Sequence, residues 1–380
     1  MNKEIRPLTS LRFLAACYVF LFHIHIRWPL AAKDTKWDKL FAIGAIGMTL
    51  FFIISGFVLA NRYMGLNKSE SLGKYFFNRF TRIYPVYFLV AVLTIPWLIS
   101  TVCAIEGNQT KHIMMLVVLG ITNLLLIQAW FPQLFQYWND GGSWSISAEA
   151  FFYALFPFVA PWFANTSISR LWVGLGLFYF MALLPGLTFV LFPSSFQSIV
   201  IYATPIFRVA EFLVGVAAGA LFARGVRAPF PGVLTLVGLI GIVLYTRYGP
   251  GFGFIFVANN WAVVPLFTLV VFAAACLRSG PINWIASLSP IVYLGRISYS
   301  FYSFQLLALL WLIGNHKVLV THFQLLNNNI ILAVVTFSII SIAAAFSHHL
   351  LEAKLRVFLN KKFLQREEQK MNLAALHPLK

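Results

Sequence analysis

The sequence predicts an all-α polytopic membrane protein with about ten transmembrane helices. Apolar residues make up 60% of the 380 residues and charged residues only 10%, against roughly 45–50% and about 25% in an ordinary soluble domain. The apolar residues also fall into runs of about 20, the length that an α-helix needs to cross the hydrocarbon core. A soluble chain of this size would leave much of that apolar surface in water.

Eleven apolar runs follow one another without an internal repeat or a linker long enough to separate two domains. They lie at 9–28, 41–60, 84–105, 113–131, 147–164, 171–192, 206–223, 230–247, 261–277, 291–313 and 328–351. We therefore expect one integral membrane domain over 1–351, followed by a basic cytoplasmic tail over 352–380.

The positions of Lys and Arg indicate how many of these runs cross, because basic residues are concentrated in cytoplasmic loops. If the run at 113–131 lies along or dips into the outer face, 20 of the 28 Lys and Arg are cytoplasmic and seven are outside, with Arg208 in the membrane. If all eleven runs cross, only about ten are cytoplasmic. The sequence thus predicts ten spans, one re-entrant or interfacial helix, and both termini in the cytoplasm.

The formal net charge of +17 would suggest nucleic-acid binding in a soluble protein. Here the basic residues lie in short segments between apolar runs, where they orient the spans, so we expect no nucleic-acid partner. The sequence contains neither the paired-cysteine spacing of a zinc site nor a His-Glu-x-x-His motif, so it predicts no metal site.

Ionisable side chains inside the apolar runs are expensive and are candidates for function. Arg12 and His23 lie eleven positions apart on the first run, so they face the same way with a rise of about 16 Å between them. The structural alternative is that Arg12 reaches the inner headgroups and His23 is an ordinary packed histidine.

Two acidic residues also lie in apolar runs. Glu211 is three positions from Arg208, and a buried ion pair is the structural alternative there. Glu149 lies near the outer start of its run, where the alternative is a helix capped by Ser145 with a carboxylate in its first turn. In the ten-span topology His23, Glu149, Arg208 and Glu211 all fall in the outer half, which favours one shared polar site.

A second basic set, at the inner face, has four members: Arg12, Arg79, Arg82 and Arg296. Arg79 and Arg82 are three positions apart and share one helix face. Cytoplasmic arginines generally set the topology of a membrane protein. The alternative is an anion site, because guanidinium groups bind phosphate in a bidentate way.

Six stretches complete the pattern: Arg12 followed by ten residues and His23, then Leu50–Leu59, Arg79–Pro85, Ser143–Tyr153, Arg208–Gly215 and Leu294–Tyr302. In this order they resemble the motifs of the acyltransferase-3 family of integral membrane acyltransferases. The resemblance runs from the first span to the last and implies an O-acyltransferase that acts on sugars or other hydroxyl acceptors.

The resemblance also implies the substrates and the location. The donor would be a cytoplasmic acyl-CoA, most often acetyl-CoA, which is a co-substrate, and no cofactor would be bound permanently. The acceptor would be an envelope glycan such as lipopolysaccharide or a lipid-linked saccharide at the outer face. The protein would lie in the plasma (inner) membrane, with the lipid bilayer as its remaining partner.

With these substrates, Arg12, Arg79 and Arg82 would hold the phosphates of the donor. His23 would be the general base for the acceptor hydroxyl, with Glu149 orienting it or raising its basicity. Substrate binding or structural support is expected of Trp144, Ser145, Arg208, Glu211, Tyr299 and Gln305. Gln305 stands where many family members carry a histidine. Because glutamine cannot take a proton at neutral pH, we expect Gln305 at most to bind a substrate and not to transfer a proton.

Two other function classes remain open at this point. Polar residues at the midplane, broken helices and inverted repeats would favour a transporter or flippase for a glycan precursor, but the sequence has no repeat and only two acids in its apolar runs for ion coupling. A non-catalytic acyltransferase-like membrane protein is the other, because of Gln305. The sequence also does not distinguish direct transfer of the acyl group from a mechanism with a covalent acyl-enzyme intermediate.

Overall fold

The computed structural model describes residues 4–63, 72–137, 142–193, 195–250, 252, 256–355, 357–359 and 361. The regular structure of these residues is entirely helical, and ten of the helices are long and apolar enough to cross a membrane. The predicted all-α class with about ten spans is therefore confirmed. Most of the predicted tail over 352–380 lies outside the described residues, and the cytoplasmic placement of the termini stays a prediction.

The α-helices follow the predicted runs closely. They are α1 Arg6–His25, α2 Lys36–Ala42, α3 Gly47–Tyr63, α4 Leu72–Cys103, α5 Gln109–Leu124, α6 Trp144–Asn165, α7 Ile168–Leu191, α8 Ser195–Ala203, α9 Pro205–Ala223, α10 Pro231–Tyr248, α11 Asn260–Cys276, α12 Pro281–Ala286, α13 Ser289–Arg296, α14 Ser298–His322 and α15 Asn329–Ser347.

The predicted interfacial run at 113–131 corresponds to α5 and the 3₁₀ segments that follow it. With 16 residues, α5 is about 24 Å long, which is short of the roughly 30 Å hydrocarbon core. Asn108 caps its start by accepting a hydrogen bond from the backbone N–H of Lys111. Two 3₁₀ turns, Gln128–Trp130 and Pro132–Tyr137, then lead the chain back towards α6.

The prediction is wrong about where two spans begin. α4 starts at Leu72 rather than near residue 84, because the charged segment that carries Arg79 and Arg82 is helical as well. The run predicted at 291–313 is broken at Ile297 into the short α13 and the longer α14. Hydropathy alone does not distinguish polar residues inside a helix from those of a loop. It therefore missed the early start of α4 and the break at Ile297.

The centre of the bundle is the pair α3 and α9. Three glycines let the two backbones approach closely, because a Cβ atom on Gly56 would overlap the carbonyl of Phe212 and one on Gly215 would overlap that of Ile53. A Cβ atom on Gly219 would similarly overlap the backbone of α3. Such small residues are the usual basis of tight helix packing in membranes, and this pair forms the frame on which α6 and α7 pack.

Candidate active site

Arg79 lies in a cage of three tyrosine rings at the start of α4. Its guanidinium carbon is 5.8, 5.9 and 5.5 Å from the ring centres of Tyr63, Tyr75 and Tyr153. The side chain is only 6% exposed, and it donates one hydrogen bond, 3.3 Å long, to the hydroxyl of Tyr63. Its buried Nε atom has no hydrogen-bond partner, so a donor of this cation remains available to a ligand.

Arg12 and Arg82 complete this arginine cluster. Arg12 on α1 experiences the positive charges of Arg82 and Arg79 and the negative charge of Glu149. Within the described residues, none of the three guanidinium groups forms an ion pair. Three like charges held close together without a paired carboxylate repel one another, and binding of an anion would relieve that repulsion.

Arg296, the fourth arginine expected in this set, does not join the cluster. Its guanidinium forms a bidentate pair with the carboxylate of Glu4, with Nε–Oε1 and Nη2–Oε2 distances of 3.2 and 2.6 Å. Both side chains are largely exposed. This pair lowers the pKa of Glu4 and raises the pKa of Arg296. Among the four arginines of that set, Arg296 is the one that the structure pairs with a carboxylate within the described residues.

Glu149 connects the arginine cluster to the interior of the bundle. Its Oε1 atom accepts a hydrogen bond from the hydroxyl of Ser55 on α3, at 3.2 Å, and another from Tyr153, one turn further along α6. Because Tyr153 also lies against Arg79, a continuous polar path runs from the cluster to the carboxylate.

The alternative in which Ser145 caps α6 is wrong. The helix starts at Trp144, and its first residues make no side-chain capping hydrogen bond. The Ser145 hydroxyl instead lies 2.6 Å from the hydroxyl of Tyr302 on α14. Ser145 therefore ties α6 to α14, and Glu149 lies in the second turn rather than the first.

Arg208 and Glu211 form a separate, fully enclosed network. Arg208 donates to both carboxylate oxygens of Glu211 at 3.0 and 2.8 Å, and also to Thr49 and to the carbonyl of Tyr202 at 3.1 Å. The side chains are 1% and 0% exposed. Asn260 on α11 donates a further hydrogen bond to Glu211 at 2.9 Å, so this ion pair joins α3, α8, α9 and α11.

Trp144 belongs to the same network. Its indole ring lies 5.4 Å from the guanidinium carbon of Arg208 and packs on Tyr202, with ring centres 4.7 Å apart. The structure therefore joins Trp144, Arg208 and Glu211 as neighbours. Of the residues expected to share one outer polar site, Arg208 and Glu211 form one group, whereas the hydrogen bonds of Glu149 are with Ser55 and Tyr153 beside the arginine cluster.

Tyr299 bridges α14 and α4, because its hydroxyl donates to the carbonyl of Ile83 at 2.8 Å. It is also within electrostatic range of Glu149 and of Glu352. Glu352 accepts a hydrogen bond from Ser300 and pairs with His348 in the π-helical turn that follows α15. Tyr299 thus lies between the site around Glu149 and the end of the last span.

His23 and Gln305 lie further along the helices that begin beside the arginine cluster. α1 and α14 run in the same direction, since the Phe20 ring packs on that of Phe301 at 5.9 Å and Trp28, just beyond α1, packs on His316 at 5.4 Å. Gln305, one turn beyond Phe301, is therefore at about the level of His23, which is partly buried. The side chain of Gln305 is 0% exposed, and neither its oxygen nor its nitrogen has a hydrogen-bond partner among the residues that the structure describes.

Sequence reasoning missed Ser55 and the tyrosines around Arg79. The spacing of Glu149 and Tyr153, four residues apart on one helix, was the available signal for that pair. The same spacing of four places Tyr75 beside Arg79 on α4. No comparable signal predicts Tyr63, which reaches Arg79 from the end of α3. In the described part of the chain, no three His, Cys, Asp or Glu side chains converge to ligate a metal ion.

Comparison with known proteins adds a family assignment to this geometry. Residues 7–348 match the family model described as an acyltransferase domain, Acyl_transf_3. The chain is 27% identical over 318 residues to acyltransferase MdmB of Streptomyces mycarofaciens, which covers 79% of this chain and 77% of the relative. No solved structure matches the chain.

Two further relatives carry more specific names. Peptidoglycan O-acetyltransferase OatA of Listeria monocytogenes is 22% identical over 326 residues, which covers 79% of this chain and 49% of OatA. This chain thus matches about half the length of OatA. Nodulation protein 10 of Rhizobium leguminosarum is 35% identical over 97 residues, which covers 24% of each chain.

Proposed function

The chain belongs to the membrane acyltransferase family whose domain spans residues 7–348, and we propose that it is an O-acyltransferase with a substrate on each side of the bilayer. The donor is an acyl-CoA, most simply acetyl-CoA, on the cytoplasmic side. The acceptor is a hydroxyl of an envelope glycan or a lipid-linked saccharide on the outer side. The membrane is the plasma (inner) membrane.

The observation that carries the proposal is the arginine cluster of Arg12, Arg79 and Arg82 and its connection to Glu149. The cluster holds three cations without an ion-paired carboxylate in the described residues. Acyl-CoA is rich in phosphate, for which guanidinium groups provide bidentate hydrogen bonds. In this proposal the phosphates bind at the cluster, and the pantetheine arm extends between the helices towards His23.

The chemistry assigned to His23 is general-base catalysis. Its imidazole takes the proton from the acceptor hydroxyl as that oxygen attacks the thioester carbonyl. The carbon–sulfur bond then breaks, and the departing thiolate of CoA receives the proton from the imidazolium. Glu149 is hydrogen-bonded to Ser55 and Tyr153 beside the arginine cluster, and in this proposal it acts on His23 through its charge, which raises the basicity of the imidazole. An acyl-enzyme route would use the same groups in two steps.

The remaining residues support the arginine cluster at the donor end of the site and His23 at the acceptor end. Arg208, Glu211 and Trp144 hold helices together around the site, and Ser145 ties α6 to α14. Tyr299 connects α14 to α4 beside the cluster. Gln305 is assigned to binding, because a buried amide with no partner has its full hydrogen-bonding capacity available to a ligand.

The choice of a glycan acceptor is supported by the name of one relative. OatA is described as a peptidoglycan O-acetyltransferase, and its modified hydroxyl belongs to an envelope polymer. An acceptor at the outer face also agrees with the distance between the two ends of the site, since Arg12 and His23 are separated by about 16 Å along α1.

The test is mass spectrometry of envelope glycans from cells with and without the gene, together with cells that carry His23→Ala. We expect O-acyl groups in the first sample and their loss in the other two, by roughly 10²-fold or more. His322→Ala, an exposed histidine at the end of α14, is the matched control and keeps the modification. Normal acylation in His23→Ala cells would contradict the assignment, and loss of the whole glycan without the gene would favour a flippase.

A further inference from the structure

We propose that the junction of α2 and α10 binds the phosphate of an anionic phospholipid, whose acyl chains lie along the exposed face of α10. Four side chains form this α2–α10 site: Lys36, Trp37, Arg247 and Tyr248. The inference goes beyond the proposed function, because this lipid is neither the acyl donor nor the acceptor.

The α2–α10 site lies at the far end of α1 from the arginine cluster. Asp38 of α2 is hydrogen-bonded to His25 at 2.9 Å, and His25 ends α1, about 20 Å beyond Arg12 along the helix. α10 ends beside α2 as well, since Lys36 donates a hydrogen bond to the hydroxyl of Tyr248 at 3.3 Å. In the predicted topology the site therefore faces the outer leaflet.

Two cations meet at the aromatic rings of this site. The guanidinium carbon of Arg247 lies 4.6 Å from the ring centre of Trp37 and 5.8 Å from that of Tyr248. The Nζ atom of Lys36 lies 4.4 Å from the same tyrosine ring centre, so the two cationic groups are within about 10 Å of each other. At this distance the charges repel each other, and one anion interacts favourably with both.

Neither cation forms an ion pair with a carboxylate in the part of the chain that the structure describes. The carboxylate of Asp38 is held by His25 and by the backbone N–H of Asp34, both at 2.9 Å. The segment 33–39 carries three lysines and two acids, so together with Arg247 it has a net charge of +2. An anion is therefore the ligand that complements this surface.

The guanidinium of Arg247 has donors available for a phosphate. Its Nε atom is buried without a hydrogen-bond partner among the described residues. Because the group lies over the Trp37 ring, its N–H donors point outward in its own plane. A phosphate accepts two such hydrogen bonds in a bidentate way, while the Lys36 ammonium adds a second charge.

The exposed face of α10 indicates that the anion belongs to a lipid. Six apolar residues at helical spacing, between 44% and 59% exposed, form one stripe that leads to Arg247: Val233, Leu236, Val237, Ile240, Val243 and Leu244. Another side of α10 packs on α11, where Gly238 and Gly241 lie against Val270 and Leu266. The stripe is about 16 Å long, and an acyl chain beside it places its headgroup at Arg247.

The aromatic residues place the site at the level of lipid headgroups. Trp37 and Tyr248 are 54% and 59% exposed at the end of an apolar span, and such residues are enriched at the membrane–water interface. A single basic residue at this level interacts with any headgroup. Two cations held on one pair of rings favour a headgroup with a net negative charge, because the choline cation of phosphatidylcholine is repelled.

The experiment is photocrosslinking of the full chain in phosphatidylcholine nanodiscs that contain a trace of phosphatidylglycerol with a diazirine in one acyl chain. Peptide mass spectrometry locates the crosslinks, with the exposed residues of α7 as the internal reference for general contact with lipid. We expect preferential labelling of the α10 stripe. Unlabelled phosphatidylglycerol should reduce this labelling, and phosphatidylcholine with the same acyl chains should not.

The double variant Lys36→Gln/Arg247→Gln should reduce labelling of α10 relative to α7 by roughly tenfold, since each basic residue near the surface contributes about 1 kcal/mol. Lys111→Gln/Lys317→Gln removes the same charge from two exposed lysines on the same predicted side of the membrane and keeps the labelling. Lys36→Gln alone changes an exposed side chain and should reduce the labelling severalfold with an unchanged unfolding temperature.

Three results would overturn the inference. The first is equal labelling of α10 by the diazirine forms of phosphatidylglycerol and phosphatidylcholine. The second is wild-type labelling in both Lys36→Gln and the folded double variant. The third is displacement of the labelled lipid by inorganic phosphate as effectively as by phosphatidylglycerol, which would identify the ligand as a free anion. Because acetyl transfer is not measured, none of these results affects the proposed function.

Discussion

Tyr153 donates a hydrogen bond to Glu149 one helical turn earlier, while the guanidinium carbon of Arg79 lies 5.5 Å from the centre of the same tyrosine ring. A single side chain thus connects the arginine cluster to the carboxylate inside the bundle. Because Arg12 also interacts electrostatically with both Glu149 and Arg79, the charge at one end of this path affects the groups at the other.

We expect Glu149→Gln to reduce kcat/KM roughly 10²-fold and to move the acid limb of the pH–rate profile towards lower pH. A carboxylate near an imidazole favours the protonated ring, so without that charge His23 would lose its proton at lower pH. Initial rates of acetyl transfer across a pH series measure this. Glu106→Gln, an exposed acid, is the control and leaves the profile unchanged.

A different result would assign Glu149 to the binding of the donor. If the acid limb stays in place while the KM for acetyl-CoA rises, Glu149 serves the arginine cluster through Tyr153 rather than the imidazole. That outcome would contradict the role of Glu149 beside His23 and would leave the general base itself unaffected.

Arg79→Ala should abolish much of the preference for acetyl-CoA over S-acetylpantetheine, which carries the thioester and the arm without any phosphate. Hydrogen bonds to charged groups contribute about 1.5–3 kcal/mol, or roughly 10–100-fold in KM. We therefore expect a large rise in KM for acetyl-CoA and a small one for S-acetylpantetheine. Steady-state kinetics with both donors give the ratio.

Arg170→Ala at the exposed start of α7 is the control for charge in this comparison and should keep the wild-type ratio. Arg79→Lys retains the cation but not the bidentate geometry, so an intermediate ratio is expected. An unchanged ratio in Arg79→Ala would show that the cluster does not hold the phosphates.

The spans were predictable because hydropathy reports the transfer of apolar side chains into lipid, and α7 agrees with its predicted run to within a few residues. Arg79 and Arg82 were also predictable as neighbours, since a spacing of three defines one helix face. The complete cage around Arg79 was not, because two of its tyrosines, Tyr63 and Tyr153, come from α3 and α6. The pairing of Arg296 with Glu4 was missed for the same reason, since 292 residues separate them.

Arg208→Met should destabilise the protein by about 3–5 kcal/mol, because it leaves the carboxylate of Glu211 buried without its charge partner. The double variant Arg208→Met/Glu211→Leu should recover most of this loss, since it removes both charges. Thermal unfolding in detergent measures the three proteins, and Arg170→Met is the exposed control. A double variant as unstable as the sum of its single variants would argue against the buried pair as the cause.

Glu4→Gln should lower the thermal stability slightly at pH 7, by an amount that shrinks as the pH falls below about 4. The pair with Arg296 lowers the pKa of Glu4, so its contribution is complete above the ordinary pKa of a glutamate, about 4.3, and is lost as the pH falls through the lower value in the folded protein. Since the pair is exposed, we expect only roughly 0.2–1 kcal/mol. A difference in unfolding temperature that does not shrink as the pH falls below about 4 would contradict this origin.

Gln305→Leu should separate binding from stability, because the buried amide of Gln305 has no hydrogen-bond partner among the described residues. Its replacement by an apolar side chain removes a desolvation cost of roughly 1–3 kcal/mol, so the unfolding temperature should rise or stay the same. Acetyl transfer should nevertheless fall at least tenfold if the amide binds a substrate group beside His23. Gln324→Leu, an exposed position beyond α14, should change neither quantity, and full transfer activity in Gln305→Leu would show that the amide binds no substrate.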